Sequence, residues 1–151
     1  MEKQDKVVSL STNQAQMYEH STTVRVRYAE TDQMDIVYYG NYAQYFEVGR
    51  VECIRDLGFS YKKMEEMGVR MPVVKLEIEY LRPAHYDELL TIKTVIKELP
   101  IKHEIVFYHE VYNEKKKIIT RGKVELFFID IATNKRTHMP GDLRTTLAPF
   151  F

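Results

Sequence analysis

Cysteine is nearly missing from this chain, which has a single one, Cys53, among its 151 residues. One cysteine cannot close a disulfide within the chain, so a disulfide framework is excluded and a reducing compartment is expected. Free cysteine is usually a small buried hydrophobe. We therefore interpret Cys53 as a packing residue rather than as a nucleophile.

Net charge and long apolar runs are missing as well. Lysine plus arginine and aspartate plus glutamate both number 22, so no net field draws the chain to nucleic acid. No apolar run approaches the roughly 20 residues of a membrane span, and the polar start, Met1–Lys6, has no apolar core of a signal peptide. We expect a cytoplasmic protein with neither a nucleic-acid partner nor a membrane span.

Signatures of the common cofactor and nucleophile sites are missing too. The 6 glycines are too dispersed for a phosphate-binding loop, and the 5 histidines lack the spacing of metal ligands. No Gly-x-Ser-x-Gly segment offers a serine nucleophile. We therefore predict no metal and no cofactor, which leaves chemistry carried by carboxylates.

The first segment with a clear pattern is predicted to be a strand. Apolar residues alternate with polar ones over Thr22–Tyr28, which is the period-2 pattern of a strand with one buried face. Residues 1–21 have no clear period and are interpreted as a loosely attached lead. Residues 22–151 are long enough for a single domain with its own core.

A helix is predicted after a short polar loop. Apolar residues recur at helical spacing over Asn41–Leu57, and Gly58 suits the left-handed conformation that ends a helix. The apolar face is rich in aromatic residues and needs a sheet to lie against. It consists of Tyr42, Tyr45, Phe46, Gly49, Cys53 and Leu57.

Four strand-like runs follow a short second helix, Tyr61–Gly68. Each run alternates apolar and polar residues and ends at proline or at a turn-forming segment such as Asn113–Lys117. Short links between successive strands favour an antiparallel meander. With the first strand they make about five strands and one long helix, an α+β architecture in which the helix packs on one face of a strongly curved sheet.

Asp32 lies in the polar segment Glu30–Asp35, directly ahead of the predicted helix. A carboxylate there can attack an electrophilic carbonyl or deprotonate water, while backbone N–H groups at the helix start bind the developing oxyanion. An aspartate before a helix is more commonly a cap or a turn residue. Spacing alone leaves both interpretations open.

The segment 24–50 resembles the signature of the 4-hydroxybenzoyl-CoA thioesterase family of hotdog-fold acyl-CoA thioester hydrolases. The residues that carry the likeness are Thr31-Asp32, the passage Val37–Tyr42 and Tyr45-Phe46-Glu47. The run Glu77–Ala84 followed by Asp87 is similar to the family's second strand and the end of that strand.

The resemblance implies a hotdog fold, in which an antiparallel sheet of about five strands wraps a long helix. It implies a homodimer with active sites at the subunit interface; whether dimers form a homotetramer is left open. The implied reaction is hydrolysis of an acyl-CoA thioester, with coenzyme A as part of the substrate. Asp32 matches the family's catalytic carboxylate, as nucleophile or general base, and Tyr39 matches the residue whose backbone N–H polarises the thioester carbonyl.

Two positions depart from the family pattern. Many relatives have a histidine where Tyr39 stands, so only the backbone role carries over. A glycine is common where Asp35 stands. Aspartate tolerates the left-handed conformation better than most residues, so we expect the turn to survive.

Three further residues are candidates for contact with substrate: Tyr38, Asn41 and Glu47. Glu47 is also the rival catalytic acid, because another branch of hotdog thioesterases has its carboxylate on the helix; otherwise it pairs with Arg50 or Arg55, or across a dimer. Asn41 is expected to cap the helix, with a place in the site as the alternative. Tyr38 belongs to an aromatic set that is expected to be mostly core, with one or two rings in an acyl pocket.

Two other functions compete with hydrolysis. A non-catalytic module that binds acyl-CoA or an acyl carrier would keep the hotdog dimer and would bind substrate without releasing thiol. Hydration of an enoyl-CoA is disfavoured, because no pair of aspartate and histidine lies in a suitable motif at the helix start.

Overall fold

Strands and helices alternate irregularly along the computed structural model, which describes residues 16–151. The strands are β1 (Tyr18–Arg25), β2 (Val69–Arg70), β3 (Val73–Tyr80), β4 (Leu89–Ile96), β5 (Glu104–Tyr112), β6 (Ile118–Phe127) and β7 (Ile129–Asp130). The helices are α1 (Tyr42–Asp56), α2 (Tyr61–Glu66) and α3 (Gly141–Leu147), with 3-10 turns at Tyr28–Glu30, Tyr39–Asn41 and Ala148–Phe150.

Five strands form one antiparallel sheet in the order β1-β4-β5-β6-β3, while β2 and β7 make a separate ribbon. The strands β4, β5 and β6 are neighbours both in the chain and in the sheet, because the short segments 97–103 and 113–117 join them. The strand β3 crosses to the far edge and pairs with β6. The predicted simple meander is therefore wrong for β3, since β1 and β5 already occupy both sides of β4.

Helix α1 packs on one face of the sheet, against β1, β4 and β5. The predicted helix Asn41–Leu57 agrees with α1 to within one residue at each end, and its predicted apolar face is buried. Gly58, just after the helix, has a φ of 88°, as expected for a left-handed end. One long helix covered by a five-stranded antiparallel sheet is the hotdog arrangement, so the predicted α+β hotdog fold is confirmed.

Two glycines allow the helix and the sheet to approach closely. A Cβ at Gly49 would lie 2.6 Å from Cγ2 of Ile92 and 2.7 Å from Oγ1 of Thr94. A Cβ at Gly122 would lie 2.3 Å from the ring of Phe46. Full burial of a ring such as Phe46 is worth about 1.5–3 kcal/mol, and glycine opposite it leaves the room that the ring needs.

Strand β1 begins and ends earlier than the predicted strand Thr22–Tyr28. Tyr18–Ser21, part of the predicted lead, already pair with β4. Tyr28 is 78% exposed rather than buried, because the chain has left the sheet and forms a 3-10 turn. The rest of that lead, residues 1–15, lies outside the described residues.

Strand β3 is exposed on both faces, contrary to what its alternation predicts. Val74, Leu76 and Tyr80 are 45%, 41% and 47% exposed. The predicted buried face is wrong within one protomer, because β3 is an edge strand and α1 packs against β1, β4 and β5, toward the opposite edge of the sheet. Only Ile78 is half-buried against the core.

Two further local predictions are confirmed, the short second helix and the turn segment at residues 113–117. The short helix α2 ends at a glycine, Gly68, with a φ of 86°, and residues 113–117 join β5 to β6. The chain turns at Asn134, with a φ of 55°, and α3 follows Pro140. In the part of the chain from residue 16 onward, no helix is both long enough and apolar enough to cross a membrane.

Candidate active site

Asp32 opens a tight loop between β1 and α1. Its N–H donates to the carbonyl oxygen of Ile36 at 2.9 Å, and its own carbonyl oxygen accepts the N–H of Asp35 at 3.0 Å. Asp35 has a φ of 62°, so the left-handed turn expected at this position is present. These bonds fix the backbone on both sides of Asp32.

The Asp32 carboxylate is half-buried and is used in part by the loop itself. Its Oδ1 accepts the N–H of Met34 at 2.8 Å, which is an Asx turn. Among residues 16–151 no protein group donates to Oδ2. One oxygen therefore orients the side chain while the other remains available to a ligand, and the turn and catalytic interpretations are compatible.

The start of the helix presents two backbone amides. The N–H of Asn41 donates to the carbonyl oxygen of Tyr38 at 2.9 Å, which closes the 3-10 turn Tyr39–Asn41. The N–H groups of Tyr39 and Gly40 come first in this turn, and the first amides of a helical segment have no carbonyl to bond within it. Neither has an acceptor among the described residues. Such amides are suited to bind a negatively charged oxygen.

Asp32 and Tyr39 line the same open cleft, which has a volume of about 360 Å³. Its remaining walls are mostly apolar or aromatic, with one positive charge from an arginine. They include Met34, Ile36, Tyr42, Tyr80, Leu81 and Arg82.

Among residues 16–151 no three histidine, cysteine, aspartate or glutamate side chains come together as metal ligands.

Tyr80 on β3 supports the helix start. Its hydroxyl donates to the carbonyl oxygen of Tyr39 at 2.9 Å, and its ring meets those of Tyr39 and Tyr42 edge-on at 6.2 and 5.6 Å. Burial raises the pKa of both Tyr42 and Tyr80, so their hydroxyls stay protonated at neutral pH. The cleft therefore depends on a strand distant in sequence from the loop.

Tyr38 and Asn41 do not form the walls of this cleft. The exposed Tyr38 ring lies 4.6 Å from that of Tyr39, and its pKa is raised by a hydrogen bond with Tyr39 and, to a lesser extent, by the charge of Asp32. Asn41 donates from Nδ2 to the carbonyl oxygen of Glu30 at 2.8 Å and makes no cap bond to α1. The predicted cap is wrong, because the side chain binds across the loop. Substrate contact by either residue stays a prediction.

Glu47 is exposed on α1 and lines a different groove, on the side of Glu30. Arg55 pairs with Glu52 instead, and no ion pair of Glu47 is found among residues 16–151. The expected pairing with Arg50 or Arg55 is therefore wrong within one protomer. Within one protomer, Glu47 and Asp32 line different clefts.

Sequence reasoning missed Glu30 and Tyr80. The one signal for Glu30 was its position three residues after Arg27, from which an acid reaches back to the backbone in a capping box. The alternation of β3 assigns Tyr80 to a buried face, and its place in the cleft follows only from the edge that β3 occupies.

The five-stranded antiparallel sheet around one long helix places this protein in the class of hotdog-fold proteins, and comparison with known proteins agrees. A family model described as the thioesterase-like superfamily matches residues 26–147, so the chain belongs to this superfamily. The resemblance first seen over residues 24–50 is thereby confirmed.

Individual relatives cover most of the domain. YneP of Bacillus subtilis is 45% identical over 97 residues, which are 64% of this chain and 70% of that protein. YbgC of Escherichia coli O6:H1, named as an acyl-CoA thioester hydrolase, is 29% identical over 117 residues, 78% of this chain and 87% of that protein. A crystal structure of a DHNA-CoA thioesterase from Staphylococcus aureus has a TM-score of 0.75 and 38% identity, and covers 80% of each chain.

Proposed function

We propose that this protein hydrolyses an acyl-CoA thioester to the free acid and coenzyme A, in the cytoplasm as the composition predicts. Asp32 and the backbone N–H of Tyr39 carry the reaction, and coenzyme A is part of the substrate rather than a cofactor. The observation that carries the proposal is that Asp32 and Tyr39 line one cleft. Membership of the superfamily and the name of YbgC support the reaction class.

Asp32 acts in this proposal as general base or as nucleophile. As a base it takes a proton from a water molecule whose oxygen attacks the thioester carbonyl; as a nucleophile it attacks directly and forms an anhydride that water hydrolyses. In both routes the Tyr39 N–H binds the oxyanion, the C–S bond then breaks and coenzyme A leaves as thiolate. Correct positioning of the reacting groups and one oxyanion donor each increase the rate by a factor on the order of 10²–10³. Thiolate is already a good leaving group.

Replacing the acid tests the proposal. Asp32→Asn keeps the shape of the side chain but cannot accept a proton or form an anhydride, so we expect kcat to fall by about 10²–10⁴ while KM stays near its starting value. The measurement is free-thiol release from a panel of acyl-CoAs of different chain length and aromatic character.

Asp35→Asn is the matched control for this substitution. It is the same change in the same loop, and asparagine also tolerates the left-handed conformation at φ 62°. We expect its kcat to stay within about threefold of the wild type, since surface changes of this kind have small effects. If the Asp32→Asn variant hydrolysed acyl-CoA at the wild-type rate and a separate Glu47→Gln variant were inactive, the catalytic acid would be Glu47 on the helix rather than Asp32.

The same assay separates hydrolysis from binding alone. Saturable binding of an acyl-CoA to the wild-type protein without thiol release would favour the non-catalytic acyl-CoA or acyl-carrier module. Sustained thiol release that exceeds the amount of protein would exclude it.

We also propose that two copies of the chain form a homodimer through β3, with a homotetramer left open. An exposed edge strand with apolar side chains is suited to pair with another chain. Val74 and Leu76 supply the apolar surface, and Tyr80 at the end of the same strand lines the cleft. A partner on this edge would therefore lie next to the site.

A further inference from the structure

Glu30 is a buried acid outside the cleft, with 6% of its surface exposed. A carboxylate at this depth is costly unless donors surround it. Its Oε1 accepts the N–H of Arg27 at 2.8 Å and the hydroxyl of Tyr45 at 3.0 Å, and its Oε2 accepts Nη2 of Arg27 at 3.2 Å. The guanidinium of Arg27 is largely exposed, so the bonds from the Arg27 amide and from Tyr45 are the stronger restraints.

The Tyr45 hydroxyl is a dependable donor to this acid. Burial raises the pKa of Tyr45, and the charge of Glu30 raises it further. The hydroxyl therefore stays protonated at neutral pH. Tyr45 is itself fully buried in α1. The contact therefore ties residue 30 to the body of the central helix rather than to a mobile surface group.

The main chain of Glu30 makes a second set of contacts. Its carbonyl oxygen accepts the N–H of Tyr38 at 2.9 Å and Nδ2 of Asn41 at 2.8 Å. Tyr38 immediately precedes the proposed oxyanion donor, Tyr39. One residue thus joins the end of β1, the helix start and the body of α1.

We infer that Glu30 is a positioning residue for the proposed reaction: it sets the distance between the Asp32 carboxylate and the Tyr39 amide. Asp32 lies two residues after Glu30, and Tyr39 follows the amide that donates to the Glu30 carbonyl oxygen. The positions of both Asp32 and Tyr39, the proposed catalytic pair, therefore depend on Glu30. The Glu30 side chain lines the groove beside Glu47 and not the cleft formed by Asp32 and Tyr39, so within one protomer it lies outside the proposed reaction centre. The inference rests on the proposed function.

Removal of the Glu30 side chain tests this role. Glu30→Ala deletes the acceptor of the Tyr45 hydroxyl, and we expect kcat to fall by about 10–100-fold with KM changed by less than about threefold, because a shift of roughly 1 Å in a catalytic group costs up to about 10² in rate. Glu30→Gln retains an acceptor oxygen and should restore kcat to within about threefold of the wild type. Glu52→Ala, which removes another acid near this groove, is the control and should leave kcat unchanged within the same limit.

Tyr45→Phe tests the same contact from the helix if Glu30→Ala does not fold. It removes a single hydroxyl and leaves the ring, and we expect kcat to fall by about 3–10-fold with little change in KM. Wild-type kcat in a folded Tyr45→Phe protein would contradict the inference.

A double substitution separates positioning from a general loss of stability. In the Asp32→Asn background, Glu30→Ala should lower the residual kcat by less than about threefold, because no carboxylate is left to position. An equal loss in both backgrounds would overturn the inference, and so would a reaction that needs Asp32 but is unaffected by Glu30→Ala. A wild-type protein that releases no thiol would overturn the proposed function and this inference with it.

Discussion

His109 is a histidine that stays neutral inside the protein. Its ring stacks on Phe46 with a centroid distance of 4.8 Å, and its Nδ1 lies 3.0 Å from Oγ1 of Thr94. The ring is buried in the core, and its Nε2 has no hydrogen-bond partner among the described residues. Burial and, to a lesser extent, the nearby positive charge of Arg50 together lower its pKa to about 3.

This histidine makes stability depend on pH. In the unfolded chain histidine binds a proton below about pH 6.5, whereas folded His109 stays neutral until about pH 3, so stability is lost as pH falls through this window. We expect His109 to contribute a loss of about 2 kcal/mol in the free energy of unfolding between pH 7 and pH 5. Urea unfolding at the two pH values measures it.

His109→Gln is the comparison variant for this prediction. Glutamine keeps a polar group near Thr94 but does not titrate, so the variant should lose less stability than the wild type between pH 7 and pH 5. An identical loss in the two proteins would show that His109 does not cause the pH dependence.

Cys53, like His109, is a buried titratable residue. It is fully buried in α1, and burial raises the pKa of its thiol to about 12. Very little thiolate exists at neutral pH, and the thiolate is the nucleophilic form. The interpretation of Cys53 as a packing residue is therefore confirmed.

At the scale of elements, the close approach of α1 to the sheet depends on Gly49. Alanine in a helix is normally better than glycine by about 1 kcal/mol. At this position an added methyl group would lie well inside contact distance of Ile92 and Thr94, both on β4. Because these side chains stand on a paired strand inside the core, the steric cost should exceed the gain in helix propensity.

Gly49→Ala is accordingly expected to lower the free energy of unfolding by about 1–3 kcal/mol. Chemical denaturation measures the change. Gly141→Ala, at the start of α3, is the matched control, because an added Cβ there meets no atom within 4 Å. We expect the control to be neutral or slightly stabilising; equal destabilisation by both would rule out the steric explanation.

At the scale of the whole molecule, β3 connects the cleft with the proposed dimer. Leu76 pairs in register with Val124 and Tyr80 with Thr120, both buried, so the Leu76 and Tyr80 side chains stand on the inner face of the sheet. Within one protomer the described residues cover that part of the face only in part, since Leu76 is 41% and Tyr80 47% exposed. A second copy on this edge would shield it and would stiffen the strand that supports Tyr39.

Leu76→Lys is expected to shift the protein from dimer to monomer and to lower kcat, because a charge on the inner face opposes burial. Sedimentation measures the mass and thiol release measures the rate. Glu77→Lys, which places a lysine on the opposite face of the same strand, should leave the mass unchanged. A Leu76→Lys protein with the mass and rate of the wild type would contradict the proposed interface.

The sequence by itself determined most of the local structure and the candidate acid. Helix periodicity located α1 to within a residue at each end, and glycine, proline and asparagine marked the ends of elements, because these signals depend on neighbours in the chain. The left-handed turn at Asp35 was predictable for the same reason. The order of residues around Asp32 was sufficient to indicate the family.

Only the tertiary structure decided what depends on contacts between distant segments. Alternation shows which side chains of β3 share a face, but not that β3 lies at an edge where that face stays largely exposed within one protomer. It likewise cannot show that Tyr80 supports the peptide at Tyr39, or that Glu30 is buried against Tyr45. Burial is a property of the packed chain, so the cleft and the contacts that hold it are determined when the sheet closes on the helix.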